Sequence, residues 1–285
     1  MISKNQQKYI SSLELKKNRK KDNVFVAEGF KIVEELLHAG YTPKMIVGCE
    51  EWMNRPSKSD TYSDVINVGL PLKGDFSTCQ PSPFKGERGE GPLLITVTEE
   101  ELRKTSFLQH PQQVLGVFEI PDNNAIPEAN WFKEHLCIAL DGVQDPGNLG
   151  TIIRIADWFG IDTIICSHTT ADAYAPKVVQ ATMGSISRVK VIYTDLEEFL
   201  KGLDRDIPVY GTLLDGENIY SSQLSSNGII VMGNEGNGIS PAIRELVNHR
   251  LLIPSYPPER DTAESLNVAI ATAITVAEFR RISKA

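Results

Sequence analysis

The chain has 285 residues, of which 41% are hydrophobic and 23% charged, and its formal net charge is −8. That length suits one large or two ordinary domains, and the balance is that of a soluble globular protein. An acidic whole excludes a generic polyanion binder acting through total charge. No apolar signal core and no long uncharged apolar run occurs, so a soluble, cytoplasmic protein is expected. The four cysteines, Cys49, Cys79, Cys137 and Cys166, lie far apart, so neither a metal site nor a disulfide framework is expected.

The first 22 residues carry Lys4, Lys8, Lys16, Lys17, Arg19, Lys20 and Lys21 against Glu14 and Asp22. Such a run is either a solvated surface helix or a phosphate-contacting arm. NVFVAEG follows, then a predicted helix over Glu28–His38 with Ile32, Val33, Leu36 and Leu37 inward. Strands are expected at Lys44–Gly48, Val65–Val68 and Val114–Ile120, and a helix at Thr98–Thr105 whose acidic first turn suits the helix dipole. These elements make a small α/β unit over residues 1–120. Within it Leu70–Pro92, rich in Gly, Pro, Ser and charge, reads as a loosely held insertion that cannot bury enough surface to offset its ordering entropy. Pro121–Asn130 reads as a linker to a second domain over residues 131–285.

From Leu136 onward strands and helices alternate. Strands are expected at Leu136–Leu140, Thr163–Cys166, Val189–Ile192, Val209–Thr212, Gly228–Met232 and Leu251–Ile253. Helices are expected near Leu149–Phe159, Pro176–Met183, Leu196–Lys201, Pro241–Val247 and Glu264–Ile282. The alternation predicts a parallel sheet with helices on its faces, and in such sheets ligands bind at the carboxyl ends of the strands. Three polar loops take that position. The first, Asp145-Pro146-Gly147-Asn148, leads into a helix with an apolar stripe of Ile152, Ile155, Ala156 and Phe159. Arg154 lies about 200° round that helix from Ile152, off the stripe, and leans back toward the helix start. It is either a group for an anionic partner or an exposed Arg on an ordinary helix. The second loop, Met232–Ser240, has three glycines but neither a Walker ending nor dinucleotide-fingerprint spacing. The third follows Ile253, with Ser265 and Asn267 in the first turn of the last helix, where they can cap it or contact a ligand.

Together and in this order, DPGNLGTIIRIADWFGID, GNEGNGIS and IP…ESLNVA resemble the three motifs of the SpoU-type (TrmH-like) RNA 2′-O-ribose methyltransferases of the SPOUT superfamily. The resemblance covers Trp131–Ser283, and the N-terminal part is similar to the small RNA-binding domain that precedes it in many members. It implies an α/β SPOUT domain with a trefoil knot, S-adenosylmethionine as cofactor, a homodimer and an RNA substrate, ribosomal RNA before transfer RNA. A non-catalytic RNA-binding protein on the same fold is the rival. Arg154, Asn148, Glu235, Ser265 and Asn267 match the family's functional polar positions; Thr212, Gly233, Ile253 and Leu266 match its cofactor surroundings. Lys16, Lys17, Lys20 and Lys21 would meet RNA phosphates. One departure is plain: SYPPERDTA replaces a shorter, glycine-containing family segment, which alters the loop over residues 255–263.

Overall fold

The computed structural model describes residues 1–54, 92–122, 125–257 and 263–282. The predicted strand Val65–Val68 and nearly all of the Leu70–Pro92 insertion lie outside them. The chain divides into two compact units, Met1–Pro121 and Asp122–Ala285.

In the first unit, strands β1 (Val24–Glu28), β2 (Pro43–Cys49), β3 (Leu93–Val97) and β4 (Val114–Glu119) form a sheet in the order β1-β4-β2-β3. Strand β4 runs antiparallel to both of its neighbours, whereas β2 and β3 are parallel. All five residues of β1 are buried. Val24 and Val26 join a core with Ile10, Leu13, Val47, Leu115 and Val117, while Phe25 meets Tyr41 edge to face and Phe118 at a tilt. NVFVAEG is therefore a strand buried on both faces, which explains its continuous apolar run.

This corrects the helix expected from Glu28. The chain turns at Gly29, φ +93°, and helix α3 spans Phe30–His38. Glu28 ends β1 with its carboxylate buried, accepting from the Ser106 hydroxyl and from Phe107 N at 2.8 Å.

The basic segment is two helices, α1 (Lys4–Ser12) and α2 (Lys16–Asp22). Lys16, Lys17, Lys20 and Lys21 are exposed, but Arg19 is buried and donates to the carbonyls of Leu13 and Glu14 at 2.7 and 2.6 Å. One residue of that run is thus structural. A short α4 (Glu50–Met53) follows β2, and α5 (Glu99–Arg103) begins at a Thr98–Glu101 capping box and ends two residues before the expected Thr105.

In the second unit, β5 (Leu136–Leu140), β6 (Thr163–Ser167), β7 (Lys190–Thr194), β8 (Val209–Asn218), β9 (Gly228–Met232) and β10 (His249–Leu252) form an all-parallel sheet in the order β10-β8-β9-β5-β6-β7. Strands β5 and β9 are buried throughout, including Cys137, and β6 buries Cys166. Burial pushes both thiols well above their ordinary range, so they serve as small core hydrophobes. The helices are α6 (Pro146–Trp158), α7 (Pro176–Thr182), α8 (Leu196–Lys201), α9 (Pro241–Arg244) and α10 (Val268–Ile282).

Several boundaries differ from expectation. Helix α6 starts three residues early because Asp145 caps it, its carboxylate accepting from Asn148 N at 2.8 Å. Its buried face includes Ile152, Ile153 and Ala156, with Ile155 and Phe159 only half-buried, because α7 and α10 cover it from two sides. Gly150 permits the α7 approach: a Cβ there would lie 2.4 Å from Ala181 Cβ. Helix α10 begins only at Val268, so Ser265 sits in the preceding loop. Near its other end, Arg280 donates to Phe159 O and Gly160 O at 2.8 and 3.0 Å, satisfying the terminal carbonyls of α6.

Candidate active site

The sheet order places β9 beside β5 and β8 beside β9, so their carboxyl ends, and the loops leaving them, are neighbours. The first two loops are tied together by Glu235. Its carboxylate accepts from Gln144 N at 3.2 Å, Asp145 N at 3.1 Å and Asn148 Nδ2 at 3.0 Å. A carboxylate can only accept, so the amide nitrogen of Asn148 must face it, leaving Asn148 Oδ1 free to accept elsewhere. That acceptor takes Asn267 Nδ2 at 2.9 Å. Asn267 is fixed independently: its Oδ1 caps α10, accepting from Ala269 N and Ile270 N at 2.9 and 3.3 Å. A chain Glu235–Asn148–Asn267 thus joins the three loops, each amide oriented by a different constraint.

Partial burial pushes the Glu235 carboxyl up. Hydrogen bonds from Asn148, from its own amide and from the amides of Asp145 and Gln144 outweigh that and hold it below its ordinary value. Glu235 is therefore a carboxylate at neutral pH and serves as an anchor, not a proton donor.

The turn carrying Glu235 is itself closed. Asn234 and Gly238 exchange two backbone hydrogen bonds of 2.9 Å, and Asn234 Oδ1 accepts from the amides of Gly236 and Asn237. Gly233 enters so tightly that a Cβ would lie 2.2 Å from Gly238 C, backbone against backbone. Asn234 Nδ2 also donates to Gly142 O at 2.7 Å, and Asp141 accepts from Ser240 N at 2.7 Å. Asp141, Asp145 and Asn234 are organising residues that sequence reasoning missed. Asp145 carried a legible signal, an Asp three residues before Asn148 at a helix start. Asp141 and Asn234 act across 99 and 92 positions, and no local pattern marks that.

The remaining expected residues are placed differently. Arg154 is exposed and makes no hydrogen bond or ion pair among the described residues. It shares a face of α6 with Thr151 and Gly147, and the expected reach to Asn148 is absent because Asn148 is engaged by Glu235 and Asn267. Ser265 and Leu266 are exposed in the loop before α10; Ile253 is half-buried beyond β10. Thr212 is half-buried on β8, its hydroxyl 3.5 Å from Val231 O. Among the described residues no cluster of His, Cys, Asp and Glu could hold a metal ion.

A parallel sheet whose adjacent carboxyl-end loops are locked by hydrogen-bonded turns and one carboxylate defines a ligand-binding α/β domain. The family model described as SpoU rRNA Methylase family matches residues 135–277, and that of the MRM3-like substrate binding domain matches residues 4–116. The chain belongs to the SpoU rRNA methylase family. It is 30% identical over 271 residues to the 23S rRNA (guanosine(2553)-2′-O)-methyltransferase RlmP of Bacillus subtilis, covering 94% of this chain and 93% of the relative. A solved structure assigned to the TrmH family of RNA methyltransferases, from Porphyromonas gingivalis, superposes with a TM-score of 0.77 at 34% identity, covering 99% of each chain. The AdoMet-bound rRNA methyltransferase of Sinorhizobium meliloti gives a TM-score of 0.76 at 28% identity, covering 99% of this chain and 97% of the other. The SPOUT-type fold expected from the motifs is thereby established.

Proposed function

We propose that this protein methylates a ribose 2′-hydroxyl of ribosomal RNA, with S-adenosylmethionine as methyl donor. The observation that carries the reading is the Glu235–Asn148–Asn267 chain, which fixes three carboxyl-edge loops in one arrangement. The similarity to RlmP and to an AdoMet-bound rRNA methyltransferase supports the donor and the substrate class.

The residues present fit such a cofactor. Leu266 is half exposed, Ile253 half-buried, and the turn after Gly233 offers main-chain groups; an adenosine needs an apolar wall and backbone partners. When bound, the donor supplies a methyl group on a positively charged sulfur. Thr212, Gly233, Ile253 and Leu266 would hold it.

Asn148 would orient the ribose, and Ser265 and Asn267 would line the same loop cluster. Arg154, exposed and unengaged, would grip an RNA phosphate and stabilise charge developing on the attacking oxygen. A guanidinium stays protonated at neutral pH, so it is a clamp and not a base. Positioning of this kind can lower a barrier by about 7–11 kcal/mol. Lys16, Lys17, Lys20 and Lys21 would add phosphate contacts.

The assembly belongs to the same reading. The resemblance to the SpoU-type methyltransferases supports a homodimer, and Trp158 on α6 and Ile270 on α10 are large apolar side chains left exposed in the single chain. A knotted C-terminal segment, implied by the resemblance to the SPOUT superfamily, belongs to this reading too. A cytoplasmic location fits an rRNA substrate.

The test is calorimetry with S-adenosylmethionine beside mapping of 2′-O-methyl sites in rRNA from cells lacking the protein. Cofactor binding and the loss of one rRNA methyl mark are expected. No cofactor uptake would leave the non-catalytic RNA-binding alternative, and a mark lost from tRNA would move the substrate class.

A further inference from the structure

The first unit contains a cavity of about 470 Å³, which lies within the usual size range of small-ligand sites. Cys49, Leu102 and Pro111 supply apolar lining; Phe30, Glu99, Arg103, Gln112 and Gln113 bring an aromatic ring and polar groups. None of these residues belongs to the methyl-transfer site, and all fall within the segment that matches a substrate-binding domain. Resting on the RNA methyltransferase reading, we propose that this cavity receives an unpaired guanine base of the substrate RNA.

Its construction is specific. Gly29, φ +93°, ends β1 and sets Phe30 at the first position of α3, where the ring stays 44% exposed. A side chain on Gly29 would come within 2.7 Å of Gln112 Oε1, so the glycine lets that amide close one wall. Gln113 is oriented by donating through Nε2 to Glu51 Oε2 at 2.8 Å, which leaves its carbonyl oxygen as an acceptor. Glu99 makes no hydrogen bond or ion pair among the described residues.

The carboxylate of Glu99, unpartnered among the described residues, selects the occupant. Besides burial, it and Glu51 push the Cys49 thiol up, while Arg103 brings one opposite charge to the same lining, so neither sign is in excess there. A neutral ring with donors on its edge is favoured, and single-stranded bases are read by stacking on aromatic side chains and by hydrogen bonds to their exposed edges. Guanine alone presents two adjacent N–H donors, N1 and N2, on its Watson–Crick edge, and a carboxylate accepts both at once.

The full-length protein should be titrated with short single-stranded oligoribonucleotides that differ only in one central guanosine, inosine, adenosine, cytidine or uridine. The guanosine strand should bind tightest, with inosine weaker because it lacks the N2 donor. Phe30→Ala should lose about 5- to 150-fold in affinity for that strand, and Phe30→Tyr should keep it. Glu99→Gln should abolish the preference for guanosine over adenosine. The salt dependence should not change in any variant, since no phosphate contact is removed. Cofactor affinity should likewise match the wild type. Equal binding of all strands, or Phe30→Ala and Glu99→Gln behaving as wild type, would overturn the proposal while methylation of rRNA leaves the functional reading intact. Absence of cofactor uptake by the wild type would instead defeat that reading, and the base preference would still be read from RNA binding alone.

Discussion

Asn148 Nδ2 donates to Glu235 Oε1 at 3.0 Å across 87 positions of sequence. This one bond makes the glycine-rich turn after β9 and the start of α6 a single body, and Asn267 extends it to α10. Replacing Glu235 with Gln keeps the size but leaves three donors facing one acceptor oxygen and one amide. Hydrogen bonds to a charged group are worth about 1.5–3 kcal/mol each. Glu235→Gln should therefore lower methylation by at least ~10-fold through loosened loops and shift melting little, since the carboxylate lies at the surface. Backbone amide exchange at Gln144 and Asp145 should rise in the variant; unchanged exchange with unchanged turnover would remove Glu235 as the anchor.

The same carboxylate predicts a pH dependence. Its folded-state pKa lies below the ordinary value, so its stabilising contribution is complete above the unfolded-state value and is lost as pH falls through the depressed one. Protection of the Gln144 and Asp145 amides should persist through mildly acidic pH and disappear only below the usual Glu range. Loss of protection beginning near neutrality would point to another titrating group.

The strand positions, the parallel sheet and the three loops of the second unit were legible because an α/β domain writes its strands as apolar runs and its loops as Gly, Pro and Asn clusters. What the pattern hid has physical causes. NVFVAEG has no alternation because both of its faces are covered, so β1 did not register as a strand. The Asp145 cap moved the start of α6 into what resembles a turn, putting Asn148 inside the helix. Asp141, with its bond to Ser240, and Asn234 are visible only after folding brings β5 and β9 together.

The basic segment should separate into two behaviours. Lys16, Lys17, Lys20 and Lys21 are exposed, and replacing all of them with Ala should flatten the salt dependence of RNA binding by roughly 0.7–0.9 per charge lost. Arg19 is buried and serves the Leu13 and Glu14 carbonyls, so Arg19→Ala leaves two acceptors unmet at about 1–3 kcal/mol each. That variant should melt several degrees lower. Equal effects of Arg19 and the lysines on the salt slope would contradict the assignment.

At Gly233 the close contact is backbone to backbone, and no rotamer change can relieve it. Gly233→Ala should open the Asn234–Gly238 turn and weaken cofactor binding by more than ~10-fold, as overpacking of about 1–3 kcal/mol falls on the loop. Calorimetry with S-adenosylmethionine decides it. Wild-type affinity would place the cofactor away from this turn.

Arg154 gives the sharpest test of the proposed chemistry. It is exposed, it is bonded to nothing among the described residues, and it lies off the face that Ile152, Ile153 and Ala156 bury. Alanine is the best helix former, so Arg154→Ala should fold and melt as the wild type does. The residues proposed to hold the cofactor lie on β8 and in the loops that follow β9 and β10, so its affinity should also be retained. Only the chemical step should suffer: removing one donor that stabilises a developing oxyanion costs about 10²–10³ in rate in other enzymes, and a lost phosphate grip adds misplacement of the ribose. Single-turnover methylation should therefore be at least ~100-fold slower beside normal cofactor calorimetry. Arg154→Lys restores the charge without the planar fork and should recover only part of the rate. Full recovery with a lowered apparent pKa would make the residue a base instead of a clamp, and near-normal turnover of Arg154→Ala would remove it from the reaction.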